Sequence, residues 1–121
     1  MTEEAKPKQY DLEDRTYEFA KKVRVFLKKS PKTRANIEDG KQLIRSSGSI
    51  GANYIEANEA LSKKDFIYRI RICRKEAKES RYWLKLMHTD GQNLLEQVRD
   101  DLMNECTELI KIFSAIVQKT E

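Results

Sequence analysis

Apolar residues recur at three- and four-residue spacing in four separate stretches of the chain, the period of helices that each bury one face. In the first stretch Leu12, Thr16, Phe19, Ala20, Val23, Phe26 and Leu27 form one stripe behind Asp11, a residue type suited to a helix N-cap. Ser30-Pro31 ends it, because proline disfavours helix in the residue before it and cannot donate the next hydrogen bond. A helix is expected over about 11–29. A second is expected over about 34–61, with Ile37, Gly40, Ile44, Ser47, Gly51, Tyr54 and Asn58 as its buried heptad line. Glycines at 40, 48 and 51 each cost about 1 kcal/mol against alanine in a helix interior, and close approach of another backbone is the usual compensation. The segment from Ser46 to Asn53 is therefore expected to receive a neighbouring helix, with Gly40, Ser47, Gly48 and Gly51 as packing positions. The alternative is a break at Gly48 that divides the helix in two.

Ser62 followed by Asp65 resembles a capping box and opens a third helix over about 63–88. Its core line is Phe66, Ile70, Cys73, Ala77, Ser80, Leu84 and Met87, and Asp90-Gly91 supplies the stop. Asn93 to Glu96 repeats the cap for a fourth helix over about 94–119, whose stripe is Leu95, Val98, Leu102, Cys106, Leu109, Phe113 and Ile116. Connections this short make successive helices antiparallel neighbours. The expected fold is all-α, an up-down-up-down antiparallel four-helix bundle over residues 11–121, preceded by a flexible polar tail, MTEEAKPKQY, over residues 1–10.

A chain of 121 residues suits one domain with one core, and its 4 Gly and 2 Pro leave room for few turns. Lys and Arg number 24 against 20 Asp and Glu, a net charge of +4 with a pI near 9.0 that favours acidic partners. Cys73 and Cys106 belong to no closely spaced pair and point to a reduced, cytoplasmic protein. The first residues are acidic where a secretory signal needs base, and no apolar run has membrane-spanning length, so neither export by that route nor a membrane is expected.

Catalytic chemistry has little to stand on. Gly48-Ser-Ile-Gly51 lacks the strand and the Lys-Ser or Lys-Thr of a phosphate-binding loop, and a backbone-clamping GxxG competes poorly with plain helix packing. His88 has no ligand companions, and one histidine with two core-facing cysteines makes no conventional zinc site. Glu56 and Glu59 lack the histidines of a carboxylate metal centre, and nothing activates Ser47 as a nucleophile. No enzyme, no metal and no cofactor is expected.

The third helix carries the functional signal. Arg71, Arg74, Lys78, Arg81 and Lys85 form a basic stripe beside its core line. On the opposite flank Ile72, Glu76, Glu79 and Trp83 mix acid with large apolar side chains, which suggests a second buried surface and self-association. The alternative is that Trp83 folds over the bundle edge while the acids pair locally. The first helix adds Lys21, Lys22, Arg24, Lys28 and Lys29, of which Lys22 and Lys29 join the candidate phosphate contacts. A basic stripe on a helix is also often just a solvated face. Tyr68 and Tyr82 are the aromatics nearest the bases, too few for single-strand stacking, so structured or duplex nucleic acid is the expected ligand.

The run IEDGKQLIRSSGSIGANYIEANEALSKKDFIYRIRICRKEAKESRYWL, Ile37 to Leu84, resembles the bacterial four-helix-bundle proteins encoded in intervening sequences of 23S rRNA genes, a family that includes the accessory protein of diversity-generating retroelements. The resemblance extends from Tyr10 to about Leu86 and rests on RSSGSIGAN together with KEAKESRYWL. It implies a four-helix bundle assembled as a homopentameric ring without catalysis. For the retroelement members it implies binding to RNA or DNA through a basic surface and to a reverse transcriptase. Carried onto this chain, Arg45 to Asn53 is the packing segment and Arg71 to Lys85 the nucleic-acid-facing or assembly helix. Two functions follow as expectations: a homo-oligomeric accessory protein that binds nucleic acid through its third helix, or a protein-interaction scaffold with no direct nucleic-acid role.

Overall fold

The computed structural model describes residues 11–121, and the tail expected over residues 1–10 lies outside them. Four helices follow in chain order: α1 (Leu12–Lys29), α2 (Arg34–Asn58), α3 (Lys63–Leu86) and α4 (Asn93–Thr120). Each packs on the next, and α1 closes the square against α4 with the slightest contact of the four pairs. The result is the up-down-up-down antiparallel bundle, with α1 diagonally across from α3.

Local chemistry sets the ends of the helices. Thr33 Oγ1 accepts from the Asn36 N–H at 3.1 Å to cap α2, and Ser62 Oγ accepts from the Asp65 N–H at 3.0 Å to cap α3. Asp11 holds the N-cap position of α1 without a side-chain cap bond, while Glu13 and Asp14 in the first turn and Lys28 and Lys29 in the last complement the helix dipole. The second helix stops at Asn58, short of the expected 61, because Ser62 must be extended to cap α3 and the chain leaves the helix at Glu59. The third stops at Leu86 rather than His88. There Asn36 reaches across from α2, its Oδ1 accepting from the His88 N–H at 2.9 Å and its Nδ2 donating to the His88 carbonyl at 2.8 Å. The same Nδ2 donates to the Pro31 carbonyl at 3.0 Å, so one buried amide ties two turns together. Asp90 and Gly91, at φ 58° and 71°, make the left-handed turn that the sequence pair predicts. The fourth helix takes Gln92 rather than a residue of the expected Asn93 box as its N-cap, and Glu96 accepts from the Thr89 hydroxyl instead, at 3.2 Å.

The core is built from Phe19, Val23 and Phe26 of α1, Leu43 and Ile50 of α2, Ile70, Cys73, Ala77 and Leu84 of α3, and Leu102, Cys106, Leu109 and Phe113 of α4. On α2 the expected line needs correction. Its buried face runs through Asn36, Gly40, Leu43, Ser46, Ser47, Ile50 and Ala57, whereas Ile37 and Ile44 are exposed and Asn58 turns outward. The face centres on Leu43 and Ile50, one position from the heptad through Ile37 and Ile44. On α4, Val117 is buried where Ile116 was expected, and Val98 is exposed.

Small residues let α2 approach both neighbours. The Ser46 and Ser80 hydroxyls hydrogen-bond across α2 and α3 at 2.8 Å, both fully buried. A Cβ at Gly51 would fall 2.9 Å from Thr16 Oγ1 on α1, and one at Gly40 would fall 3.2 Å from Leu27 Cδ2. At Gly48 it would meet only the Arg24 guanidinium, at 3.6 Å, and α2 runs through that residue without a break. Gly51 is therefore a close-approach position, whereas Gly48 lies at an open groove. Gly51→Val should lower stability by about 1–3 kcal/mol through overpacking, and Gly48→Ala should raise it by up to about 1 kcal/mol through helix propensity. Urea unfolding followed by far-ultraviolet circular dichroism measures both; equal effects would contradict this distinction.

Candidate nucleic-acid interface

The packing of α3 between α2 and α4 sorts its charges. Towards α2, Arg45 Nη2 lies 2.9 Å from Glu79 Oε1 and 3.4 Å from Glu76 Oε1, so one guanidinium holds both acids. Glu76 is buried, and its Oε1 makes no hydrogen bond beyond that ion pair. Arg69 Nη1 donates to Asn53 Oδ1 at 3.1 Å on the same side. Trp83 is half-buried, packed against the core and set edge-on to Tyr82 with ring centroids 5.1 Å apart, and Ile72 is half-buried too. Of the four residues expected at a self-association surface, Glu76 is thus buried, Glu79 is held by Arg45, and Ile72 and Trp83 are half-buried within the protomer.

Towards α4 and solvent, α3 is basic. Arg81 Nε donates to Thr107 Oγ1 at 3.1 Å, and Arg74 Nη1 donates to Ser114 Oγ at 3.4 Å. These hydroxyls orient the guanidinium groups without cancelling their charge. Arg71 pairs with Glu121 at the end of α4. Lys78 and Lys85 are exposed and make no ion pair among the described residues. At 1.5 Å per residue the stripe from Arg71 to Lys85 is about 21 Å long. Lys75, absent from the expected set, is also exposed and lies midway between the exposed Tyr68 and Tyr82 on one seven-residue line. Its heptad relation to the two tyrosines was available in the sequence.

The structure does not bring Lys22 and Lys29 to this surface. Both belong to α1, on the far diagonal of the bundle. Lys22 lines a groove of about 590 Å³ between α1 and α4, among Asp11, Asp14, Glu18, Asp101 and Glu105. Arg15 crosses that groove to Glu105 through two hydrogen bonds of 2.6 and 3.0 Å, which raise the guanidinium pKa further. With five carboxylates against two bases, this side repels phosphate.

Four amphipathic helices around one core, with chemistry confined to outer faces, define a helical-bundle protein. The chain matches the 23S rRNA-intervening sequence protein family over residues 8–115 and belongs to that family. This bears out the resemblance read from its second and third helices. It is also similar to a solved structure from Bacteroides thetaiotaomicron VPI-5482, a protein with unknown function from the S23 ribosomal protein family. The two are 33% identical over 87% of this chain and 96% of that one, with a TM-score of 0.75. No curated protein matches the chain.

Among the described residues no group of three or more His, Cys, Asp and Glu side chains is placed to hold a metal ion, and no helix is long and apolar enough to cross a membrane. Cys73 and Cys106 are free, fully buried, and pushed up to about 12 by burial. Below the ordinary value of 9.0 both folded and unfolded thiols keep their protons, and pH has no effect through them. Between 9.0 and about 12 the unfolded chain ionises while the fold cannot, so stability should fall as pH rises, by about 1 kcal/mol per thiol per pH unit. Urea midpoints at pH 8 and pH 10, compared between wild type and Cys73→Ala/Cys106→Ala, measure this; equal pH dependence in the two proteins would contradict it.

Proposed function

We propose that this chain is a non-enzymatic, self-associating protein of the cytoplasm that holds nucleic acid by its phosphates through the outer face of α3. One observation carries the reading: charge is segregated on a single helix. Its two mid-helix acids are drawn towards Arg45, while Arg74, Lys78, Arg81 and Lys85 keep uncompensated charge beside α4. Phosphates are the natural complement of such a strip, since Lys and Arg release condensed counterions on contact and Arg offers paired donors. A duplex advances about 3.4 Å per base pair, so the strip from Arg74 to Lys85, about 16 Å long, reaches across roughly five steps. Contacts of this kind position a backbone without reading sequence. Two exposed tyrosines are too few to track a single strand, which favours structured or duplex nucleic acid.

A second reading, a protein-interaction scaffold, draws on a different observation. Tyr17, Ile37, Ile44 and Ile55 are all exposed on the α1–α2 side, an apolar surface unlike that of a protein that works alone. Under this reading α3 stays solvated and touches no nucleic acid.

Titrating affinity for an RNA or DNA duplex against salt separates the two. Four uncompensated bases should give a slope of log affinity on log salt of about −3 to −4 per bound copy. The variant Lys75→Glu/Lys78→Glu/Lys85→Glu, confined to exposed side chains, should keep its helicity and lose on the order of 100-fold in affinity at low salt. Wild-type protein that binds neither duplex at low salt, or a variant that binds as well, overturns the nucleic-acid reading and leaves the scaffold.

A further inference from the structure

We infer that the nucleic acid held on α3 is a folded RNA with an unpaired base at each end of a short duplex segment, one stacked on Tyr68 and the other on Tyr82. The inference rests on the phosphate-binding role proposed above and names the class of ligand that fits the same face.

Tyr68, Lys75 and Tyr82 follow one another at seven-residue spacing, so they drift by only about 20° per step around the helix. Ile70, Ala77 and Leu84, each two residues further on, are fully buried, which puts the tyrosine line on the side of α3 turned away from the core. Tyr68 is 59% exposed and Tyr82 is 57% exposed. Each has a base three residues on, a neighbour on the helix surface: Arg71, which shares its charge with Glu121, beside Tyr68, and Lys85 beside Tyr82. A backbone held on the basic stripe therefore passes within reach of both rings.

The two rings are preset. Arg69, held by Asn53 Oδ1 at 3.1 Å, sets its guanidinium 5.8 Å from the centroid of the Tyr68 ring. Tyr82 meets the half-buried Trp83 edge-on, at 5.1 Å between centroids. Each tyrosine is thus braced by a neighbour that is itself anchored, and less side-chain freedom is lost when a base stacks on it.

The spacing sets the ligand. Fourteen residues separate the two tyrosines, a distance of about 21 Å along the helix. Successive bases of a single strand would need aromatics in between, where the line carries Lys75 instead. A duplex segment of roughly six to eight base pairs covers that length, with Lys75 beside its middle phosphates. Inside a continuous duplex each base is already stacked and paired, and taking one out is costly. Bases left unpaired by a bulge or loop offer a free face, and such interruptions are a regular feature of folded RNA. Stacking accepts any base, in keeping with phosphate contacts that read no sequence.

Binding of two RNA stems tests the assignment. One carries two unpaired adenines about seven base pairs apart, one of them replaced by the fluorescent base 2-aminopurine, and the other stem is fully paired. Wild-type protein should bind the interrupted stem on the order of tenfold more tightly and quench the 2-aminopurine. Tyr68→Leu/Tyr82→Leu, at exposed positions, should lose both the preference and the quenching yet bind the paired stem as wild type does, which also shows that it folds. Tyr68→Phe/Tyr82→Phe, which keeps the ring faces, should retain both. Wild-type protein that binds neither stem overturns the phosphate reading and this inference with it. Equal affinity for the two stems, or a leucine variant that keeps the preference, overturns the stacking alone and leaves the phosphate contacts standing.

Discussion

The close approach of α2 to both of its neighbours governs the rest of the molecule. Between α2 and α3 no layer of large side chains intervenes at Ser46 and Ser80, whose hydroxyls touch in the core, and the Cys73 thiol donates to the Ile50 carbonyl at 3.4 Å a short way along. Between α2 and α1, Gly51 leaves just enough room for Thr16. Such contacts tolerate no rotation of α3 about its axis, since any turn would drive a larger side chain into α2. With the rotation fixed, Arg45 falls beside Glu76 and Glu79, and the bases of α3 fall on the side of Thr107, Ser114 and solvent. The segregation of charge on α3 is thus a consequence of the packing of small residues on α2.

Four sides of one bundle thereby acquire four characters. The α2–α3 side is internally compensated through Arg45. The α3–α4 side is basic, with hydroxyls rather than carboxylates beneath two of its arginines. The α1–α4 side is acidic and open, and the α1–α2 side is apolar with a basic rim. A net charge of +4 conceals this arrangement, since bases and acids almost balance in number while occupying different sides. A polyanion approaching the protein meets a favourable field on one side and a repulsive one on the next.

The architecture was legible in the sequence because three of the four helices declare themselves. The stripes on α1 and α3 are large, regular and closely matched by the buried residues, and Ser62, Asp90 and Gly91 mark boundaries by chemistry that acts within a few residues. On α2 the signal inverts. Its closest contacts are made by glycine and serine, which carry little hydrophobic weight, while Ile37 and Ile44 lie exposed beside the groove and draw a periodic reading to the neighbouring line. The basic stripe was legible, since helical geometry alone gathers Arg71 to Lys85. What surrounds it was not. Arg45 is 31 and 34 residues from the acids it holds, Lys22 is separated from the stripe by the diagonal of the bundle, and Trp83 is half-buried against a core that its own helix does not specify alone.

Lysine footprinting tests the central claim most directly: the protein is acetylated with and without a duplex RNA at low salt, and protection is read at each lysine by mass spectrometry. Lys75, Lys78 and Lys85 should lose reactivity when the duplex is added, whereas Lys22, on the acidic α1–α4 side, should react as before. Protection confined to α1, or spread evenly over all lysines, would contradict an interface on α3.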